Sequence, residues 1–401
     1  MSRRLQALIV AAVAALMTLS AIASAAPSQP RQRTWTPATA TAASQRTRTP
    51  PATPLGFVGM NVDGPLLDAG VNLTPVFSSM EATGVQTVRT TFNWAAAQPV
   101  QGGPIDFTQT DALVGAAAAR GMTVLPVIIY VPGWDAARHD PGTLANPVDD
   151  APYAAYAGAL VHRYGPRGSY WSEHPRTRRL PIRRWQIWNE PNFNYYWRQP
   201  FAATYVELLA AAHAAIHAAD PGAKVVLAGF PNLAWKCLDA IYSVRGAARD
   251  FEIVAVHPYT SRPSNVIRFL QYMRDSMKRH GDSRKPLLVT ETGWNSSRGH
   301  QPADNFCCQT DESGQMTRVK AELPLLAAHR RSLNLLGFYF YTWAGDEYTG
   351  APSFNFAGLF DDVHGRLRVK PVYSVFRQGV VALERCRRTG ATAGTCAQPI
   401  R

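Results

Sequence analysis

Residues 183–192 read RRWQIWNEPN. An aromatic and apolar run stops abruptly in Asn189-Glu190-Pro191. Glutamate is a poor strand residue and costs free energy to bury, so its position at the end of such a run needs a reason. A second segment repeats the arrangement. Residues 286–295 read PLLVTETGWN, with Glu291 closing an apolar run. Two carboxylates thus stand at two strand ends, 101 positions apart.

Similar runs recur along the chain. GFVGMNV (56–62), TVRTTFNW (87–94), TVLPVIIY (123–130), RWQIWNE (184–190), KVVLAGF (224–230), IVAVHPY (253–259), PLLVTET (286–292) and LLGFYFYTW (335–343) read as strands. Several are continuously apolar rather than alternating, which suits a parallel sheet covered on both faces. Helix-like segments separate them, for example FTQTDALVGAAAARG, DDAPYAAYAGALVHRYG, FAATYVELLAAAHAAIHAAD, NVIRFLQYMRDSMKRHG and, last, VYSVFRQGVVALERC. Eight strands and eight helices in roughly 330 residues predict an α/β fold, a (β/α)8 TIM barrel with a single catalytic domain over residues 55–385. An open doubly wound sheet is the alternative. It calls for a Gly-rich first turn, and GFVGMN lacks the third glycine.

The N-terminus has Arg3 and Arg4 before a long apolar run that closes in Ala23-Ser24-Ala25. This predicts a secretory signal over residues 1–26, with an uncleaved anchor as the alternative, and hence a secreted or cell-envelope location without stable membrane insertion after cleavage. Residues 27–54 are rich in Pro, Thr, Ala and Arg and read as a linker without a core. The formal charge is +13; six arginines precede the first acid, Asp63, which leaves +7 on the rest. No basic helix and no nucleic-acid-binding motif accompanies this charge. Five cysteines are present. Cys386 and Cys396, in a tail over 386–401, are the expected disulfide, and Cys307 or Cys308 is a further candidate to pair with Cys237. Their spacing does not match a zinc site, and neither metal nor cofactor is expected. The Ala-rich face bearing His213 and His217 reads as ordinary helix packing.

A barrel carries its chemistry at the C-terminal ends of its strands. Those ends hold Asn93 and Trp94, Tyr130 followed by Trp134, Asn189 and Glu190, His257 and Tyr259, Glu291, and Trp343, with Arg89 lower on the second strand. Cleaving a glycosidic bond needs one carboxylic acid to protonate the leaving oxygen and a second carboxylate to attack the anomeric carbon or activate water. Their pKa values must differ, and their surroundings set that difference. Glu190 follows an aromatic run, which favours the proton-donor role, and Arg89 is placed to keep Glu291 ionised. Strict alternation puts Asn189 and Glu190 on opposite faces, so the fourth strand must bulge or end there. Arg89 in an apolar strand needs a buried partner. Trp134 is a candidate further subsite, whereas Trp94, Trp188 and Trp294 read as packing.

WQIWNEPN with LLVTETGW resembles retaining glycoside hydrolases of clan A. HRYGPRGSYW before the first motif and VHPY on the sixth strand are similar to glycoside hydrolase family 39 and its endo-acting relatives. The resemblance implies Glu190 as acid/base and Glu291 as nucleophile. It further implies that Asn189 binds a sugar 2-hydroxyl, Tyr259 orients Glu291, Arg89 lies beneath it, His257 lines the sugar subsite and Trp343 forms an aromatic platform under a sugar ring. The exo-acting xylosidases of family 39 carry an accessory β-domain, for which a chain ending soon after the eighth helix leaves no room. An open cleft and an endo-acting or transglycosylating enzyme on a carbohydrate polymer or oligosaccharide are therefore expected, and a monomer is expected as well. The rival readings are a catalytically silent carbohydrate-binding barrel and a tethered structural protein of the envelope. Loss of a glutamate would mark the former, and both are present.

Overall fold

The computed structural model describes residues 53–68, 70–137, 146–304, 306, 308–384, 386–388 and 396–399. The signal over 1–26 and nearly all of the linker lie outside them. So do Cys307 and the side chains of Cys386 and Cys396. Cys237 carries a free thiol, so it forms no bridge with Cys307 or Cys308. Among the described residues, no helix is long and apolar enough to cross a membrane.

Eight parallel strands form the core: β1 (Val58–Val62), β2 (Thr87–Asn93), β3 (Thr123–Ile129), β4 (Arg184–Ile187), β5 (Lys224–Val226), β6 (Val254–Val256), β7 (Leu287–Thr292) and β8 (Leu335–Phe340). They hydrogen-bond in the order β5-β4-β3-β2-β1-β8-β7-β6. Single parallel bridges, Val226 with Ile253 and Phe230 with Val256, close β5 onto β6. The principal crossover helices are α1 (Leu73–Thr83), α2 (Thr108–Ala119), α3 (Asp150–Tyr164), α4 (Ala202–Ala219), α5 (Ala234–Ser243), α6 (Pro263–Arg279), α7 (Glu312–His329) and α8 (Pro371–Glu384). This is the expected (β/α)8 barrel. β4, β5 and β6 are shorter than their apolar runs, because the chain leaves the ladder early to build the barrel mouth.

The helices start where the sequence offers caps. Asn72 accepts a bond from the Thr74 N–H, Asp149 from Ala151, and Asp311 from Gly314. Each satisfies an N-terminal donor that has no partner within its helix. Inside the barrel, Leu125, Val226, Ile253, Ala255, Leu288 and Tyr339 pack into one apolar cluster. Register brings Asn61, Arg89 and Leu125 side by side on β1, β2 and β3, and sets Gln186 beside Val226 on β5. Polar residues therefore replace apolar ones on the same inward faces, next to this apolar cluster.

After β8 the chain adds a small sheet that the βα rhythm does not announce. β9 (Ala344–Gly345) pairs parallel with β10 (Phe360–Val363), which pairs antiparallel with β11 (Arg366–Val369). Its hairpin turns at His364-Gly365, both at positive φ. Behind it Lys370, fully buried, donates to the Ser296 hydroxyl at 2.8 Å, the Phe356 carbonyl at 2.9 Å and the Glu347 carboxylate. This ammonium ties the loop after β7 to the loop after β8. Lys370→Ala leaves the largely buried Glu347 carboxylate with only the Arg368 guanidinium, at 3.8 Å, as an ion-pair partner, and is expected to cost about 3 kcal/mol in urea unfolding. A loss under about 1 kcal/mol, the scale of an exposed pair, would remove Lys370 from the framework.

Candidate active site

Two features of the backbone aim the polar side chains. β4 ends at Ile187, and the next residues turn sharply: Trp188 has φ +67° and Glu190 φ +45°. Left-handed backbone at a non-glycine residue costs on the order of 1–3 kcal/mol and persists only where surrounding structure holds it. Here Trp188 N–H donates to the Ile128 carbonyl at 3.1 Å, and Glu190 N–H to that of Gly229 at 3.2 Å. The Trp188 indole is buried and donates to the Tyr196 carbonyl at 3.0 Å. The strand has ended before Asn189, so alternation no longer separates Asn189 from Glu190. On β7 the device is a bulge. Val289 pairs with Phe338 and Thr292 with Phe340, so three steps on β7 oppose two on β8 and Glu291 lies within the irregularity. Bulges of this kind re-aim side chains beside active sites.

Arg89 organises the centre. Its guanidinium, 3% exposed, donates to Glu291 Oε1 at 2.8 Å, Asn61 Oδ1 at 2.7 Å, Gln186 Oε1 at 2.8 Å and Asn189 Oδ1 at 2.8 Å. Asn61 is itself anchored by donating to the Thr290 carbonyl at 3.1 Å. Tyr259 Oη donates to Glu291 Oε2 at 2.8 Å. The buried His257 sets Nδ1 2.7 Å from Glu190 Oε1 and 3.6 Å from Glu291 Oε2. One ring nitrogen therefore faces both carboxylates, and oxygens of the two lie within 4.8 Å of each other.

The two glutamates share burial and differ in partners. Burial drives both upward. For Glu190 it outweighs the His257 hydrogen bond and charge, and the pKa stays above the usual carboxylate value. For Glu291 the charges of His257 and Arg89 and the bonds from Tyr259 and Arg89 outweigh burial, and the pKa falls below that value. One carboxyl is thus biased to hold a proton and its neighbour to be an anion.

Gly229 makes this packing possible. A Cβ there would lie 2.0 Å from His257 Nε2, well inside contact distance. Gly229→Ala is expected to displace the imidazole and release Glu190, lowering kcat by roughly 100-fold, the scale of a misplaced catalytic group, while the fold stays cooperative. Steady-state kinetics with a circular dichroism melt measure both, and an unchanged kcat would mean that the ring does not position Glu190.

Glu190, Glu291, Asn189, Arg89, His257 and Tyr259 converge. Trp343 does not. It is fully buried, with its ring 4.8 Å from Phe360 and 6.3 Å from Tyr373, beneath the small sheet. It offers no face to a sugar, because the extra strands after β8 cover it. Trp134 is half-buried, edge-on to Trp94 at 5.4 Å, with its indole donating to the Gln98 carbonyl at 2.9 Å. These contacts tie it to the segment after β2.

Other residues take the positions that sequence reading missed. Tyr341, half-buried just past the end of β8, has its phenol pKa raised by burial, then by the charges of Asp63 and Glu291. Phe306 and Phe354 pack edge-on against Tyr259, and Phe354 also against Tyr341. Tyr196, whose carbonyl accepts the Trp188 indole N–H, has its phenol raised by burial and then by Glu190. Asp63, just after β1, is a third carboxyl in the same field, pushed up to about 6 by burial, with Arg89 opposing and Glu291 assisting. Polar Asn61 in an apolar strand carried the same signal as Arg89. The aromatic positions depend on loop paths, and no local pattern marks them.

Glu190, His257 and Glu291 also offer three donor atoms within 4.8 Å, which a metal ion can use. The Arg89 guanidinium bonded to Glu291 supplies positive charge at that point already, which weakens the site for a divalent ion.

No protein-family model and no curated protein sequence matches the chain. Solved structures do. A monomeric β-xylosidase from Caulobacter crescentus CB15 superposes with a TM-score of 0.60 at 18% identity, over 82% of this chain and 69% of that one. A family 39 glycoside hydrolase from Bacteroides cellulosilyticus WH2 gives 0.60 at 18% identity, over 82% of this chain and 63% of that one. The GH53 catalytic domain of Ignisphaera aggregans gives 0.51 at 20% identity, over 80% and 91%. At these identities the likeness is one of fold. The resemblance to clan A and family 39 read from the two glutamate segments therefore extends to the architecture that carries them.

Proposed function

We propose that the protein is a retaining O-glycoside hydrolase that cleaves a carbohydrate polymer or oligosaccharide by double displacement, outside the cytoplasm. The observation that carries this is the pair Glu190 and Glu291, with oxygens within 4.8 Å and pKa values driven in opposite directions. Retaining enzymes hold their carboxyl groups about 5–5.5 Å apart, whereas inverting ones need about 6.5–9.5 Å to admit a water. The spacing here supports the first.

In the first step Glu291 Oε attacks the anomeric carbon and Glu190 gives its proton to the leaving oxygen, forming a glycosyl-enzyme. In the second, Glu190 takes a proton from water, whose oxygen attacks the same carbon and frees Glu291. Tyr259 and Arg89 hold the nucleophile throughout. Asn189, with its Oδ1 bound by Arg89, turns its amide N–H2 to the sugar 2-hydroxyl. Tyr341 and Phe354 are the apolar faces for a sugar ring in place of Trp343. Endo action and a monomer remain part of this reading, and β-xylosidase neighbours make xylose-containing polymers the first substrates to try.

Reducing-end release by the chain from about Ala26 across a polysaccharide panel tests it, with Glu291→Ala alongside. Activity on one polymer that disappears in the variant is expected. Activity that survives the substitution would contradict the assignment, and binding without release by a folded wild-type protein would favour a silent carbohydrate-binding barrel.

A further inference from the structure

The opposite end of the barrel carries a second cluster of donor atoms. His213 and His217 stand four residues apart on α4 and so share one helix face. Glu252 precedes β6, at the end of the barrel away from the catalytic mouth. His213 Nε2 and His217 Nε2 each lie 3.2 Å from the same oxygen, Glu252 Oε1. The three donor atoms all lie within 4.8 Å of one another. The imidazole rings tilt by 35° with centroids 4.2 Å apart, so the two nitrogens converge.

From these distances we infer a divalent transition-metal site formed by His213, His217 and Glu252, of the kind that takes Zn2+. A four-coordinate zinc holds nitrogen and oxygen ligands at about 2.0–2.2 Å, which sets ligand atoms about 3.3–3.6 Å apart along the edges of a tetrahedron. The two nitrogen–oxygen separations fall within a few tenths of an ångström of that edge. Two imidazoles with one carboxylate form a donor set that suits zinc, copper or nickel rather than magnesium or calcium.

The carboxylate is also oriented from behind. Glu252 Oε2 accepts the Val225 N–H at 2.7 Å, which leaves Oε1 turned to the histidines. Such a second bond fixes a ligand before the metal arrives. All three side chains are about a quarter exposed, so an ion can enter and water can complete the coordination. Asp250, whose carboxyl interacts electrostatically with His213, is a further carboxylate at the same edge. The ion would join α4 to the segment before β6, a structural link across the N-terminal face, where barrels spend residues on stability rather than chemistry.

The test is titration of the untagged, chelator-treated protein with Zn2+ by calorimetry, comparing wild type, His213→Gln, His217→Gln and Glu190→Gln. The visible spectrum of a Co2+-loaded sample reports coordination. We expect one ion per chain, a raised Tm, and the intense bands of four-coordinate Co2+. Each histidine variant should weaken binding by at least about 100-fold, beyond the 10–100-fold effect of outer-shell partners, and Glu190→Gln should not. Circular dichroism shows whether the variants fold. Absence of binding, or binding equal in both histidine variants and wild type, would overturn the site. So would loss in Glu190→Gln, which would assign the ion to the catalytic carboxylates. Hydrolysis of glycosides is independent of this site, so its failure and that of the proposed activity are separable.

Discussion

Glu291→Ala is expected to lower kcat by roughly five to six orders of magnitude, the scale on which removal of a covalent nucleophile acts. The variant removes the only one of Arg89's four partners that carries charge, while Asn61, Gln186 and Asn189 continue to hold the guanidinium. Some stability is lost with the buried pair. Glu291→Gln keeps an oxygen for Arg89 and is the folding control. It should be as inactive as Glu291→Ala while melting closer to wild type. Activity within tenfold of wild type in the well-folded glutamine variant would show that another group attacks the anomeric carbon.

Glu190→Ala is the second large effect. Loss of a general acid costs typically 10²–10⁴-fold, and here the cost should depend on the leaving group. Natural glycosides need their leaving oxygen protonated; activated aryl glycosides do not, and should react in the first step at close to the wild-type rate. The pH profile carries the same assignment. In the proposed mechanism Glu291 works as an anion with a lowered pKa, so activity falls as pH drops through that pKa, and Glu190 works protonated with a raised pKa, so activity falls as pH rises through it. With an activated substrate under first-step conditions, Glu190→Ala should lose the alkaline limb and keep the acid limb. A variant that retains both limbs, or that slows activated and natural substrates equally, would mean that Glu190 is not the proton donor.

Much of this site was legible because barrels separate their signals. Continuous apolar runs mark strands covered on both faces, and a polar residue inside such a run, like Arg89, stands out against them. The two glutamates follow from the same contrast. What strand logic could not give was direction. Period-two alternation placed Asn189 and Glu190 on opposite faces; two left-handed residues after β4 and an extra residue on β7 decide otherwise, and both depend on contacts made from other strands. The error at Trp343 has a similar origin. An aromatic at the end of β8 suits a platform, but the segment 344–369 folds into a small sheet that buries it, and Tyr341 two residues earlier lies in the electrostatic field of Asp63 and Glu291 instead. The turn His364-Gly365 was the local sign of that sheet, but a two-residue turn does not say which surface its strands will cover. His213 and His217 read as packing because their third partner, Glu252, is 35 residues beyond His217 in sequence and meets them only when β5 and β6 are in place.

The most direct test is to trap the glycosyl-enzyme. A 2-deoxy-2-fluoro glycoside with an activated leaving group, built on the sugar that the polysaccharide panel selects, should form the covalent intermediate and slow its hydrolysis. Intact-mass spectrometry should then show one added glycosyl unit per chain, and peptide mapping should locate it on Glu291 within LLVTETGW. A label on a different residue, or first-formed product of inverted anomeric configuration with no adduct at any time, would contradict a double displacement through Glu291.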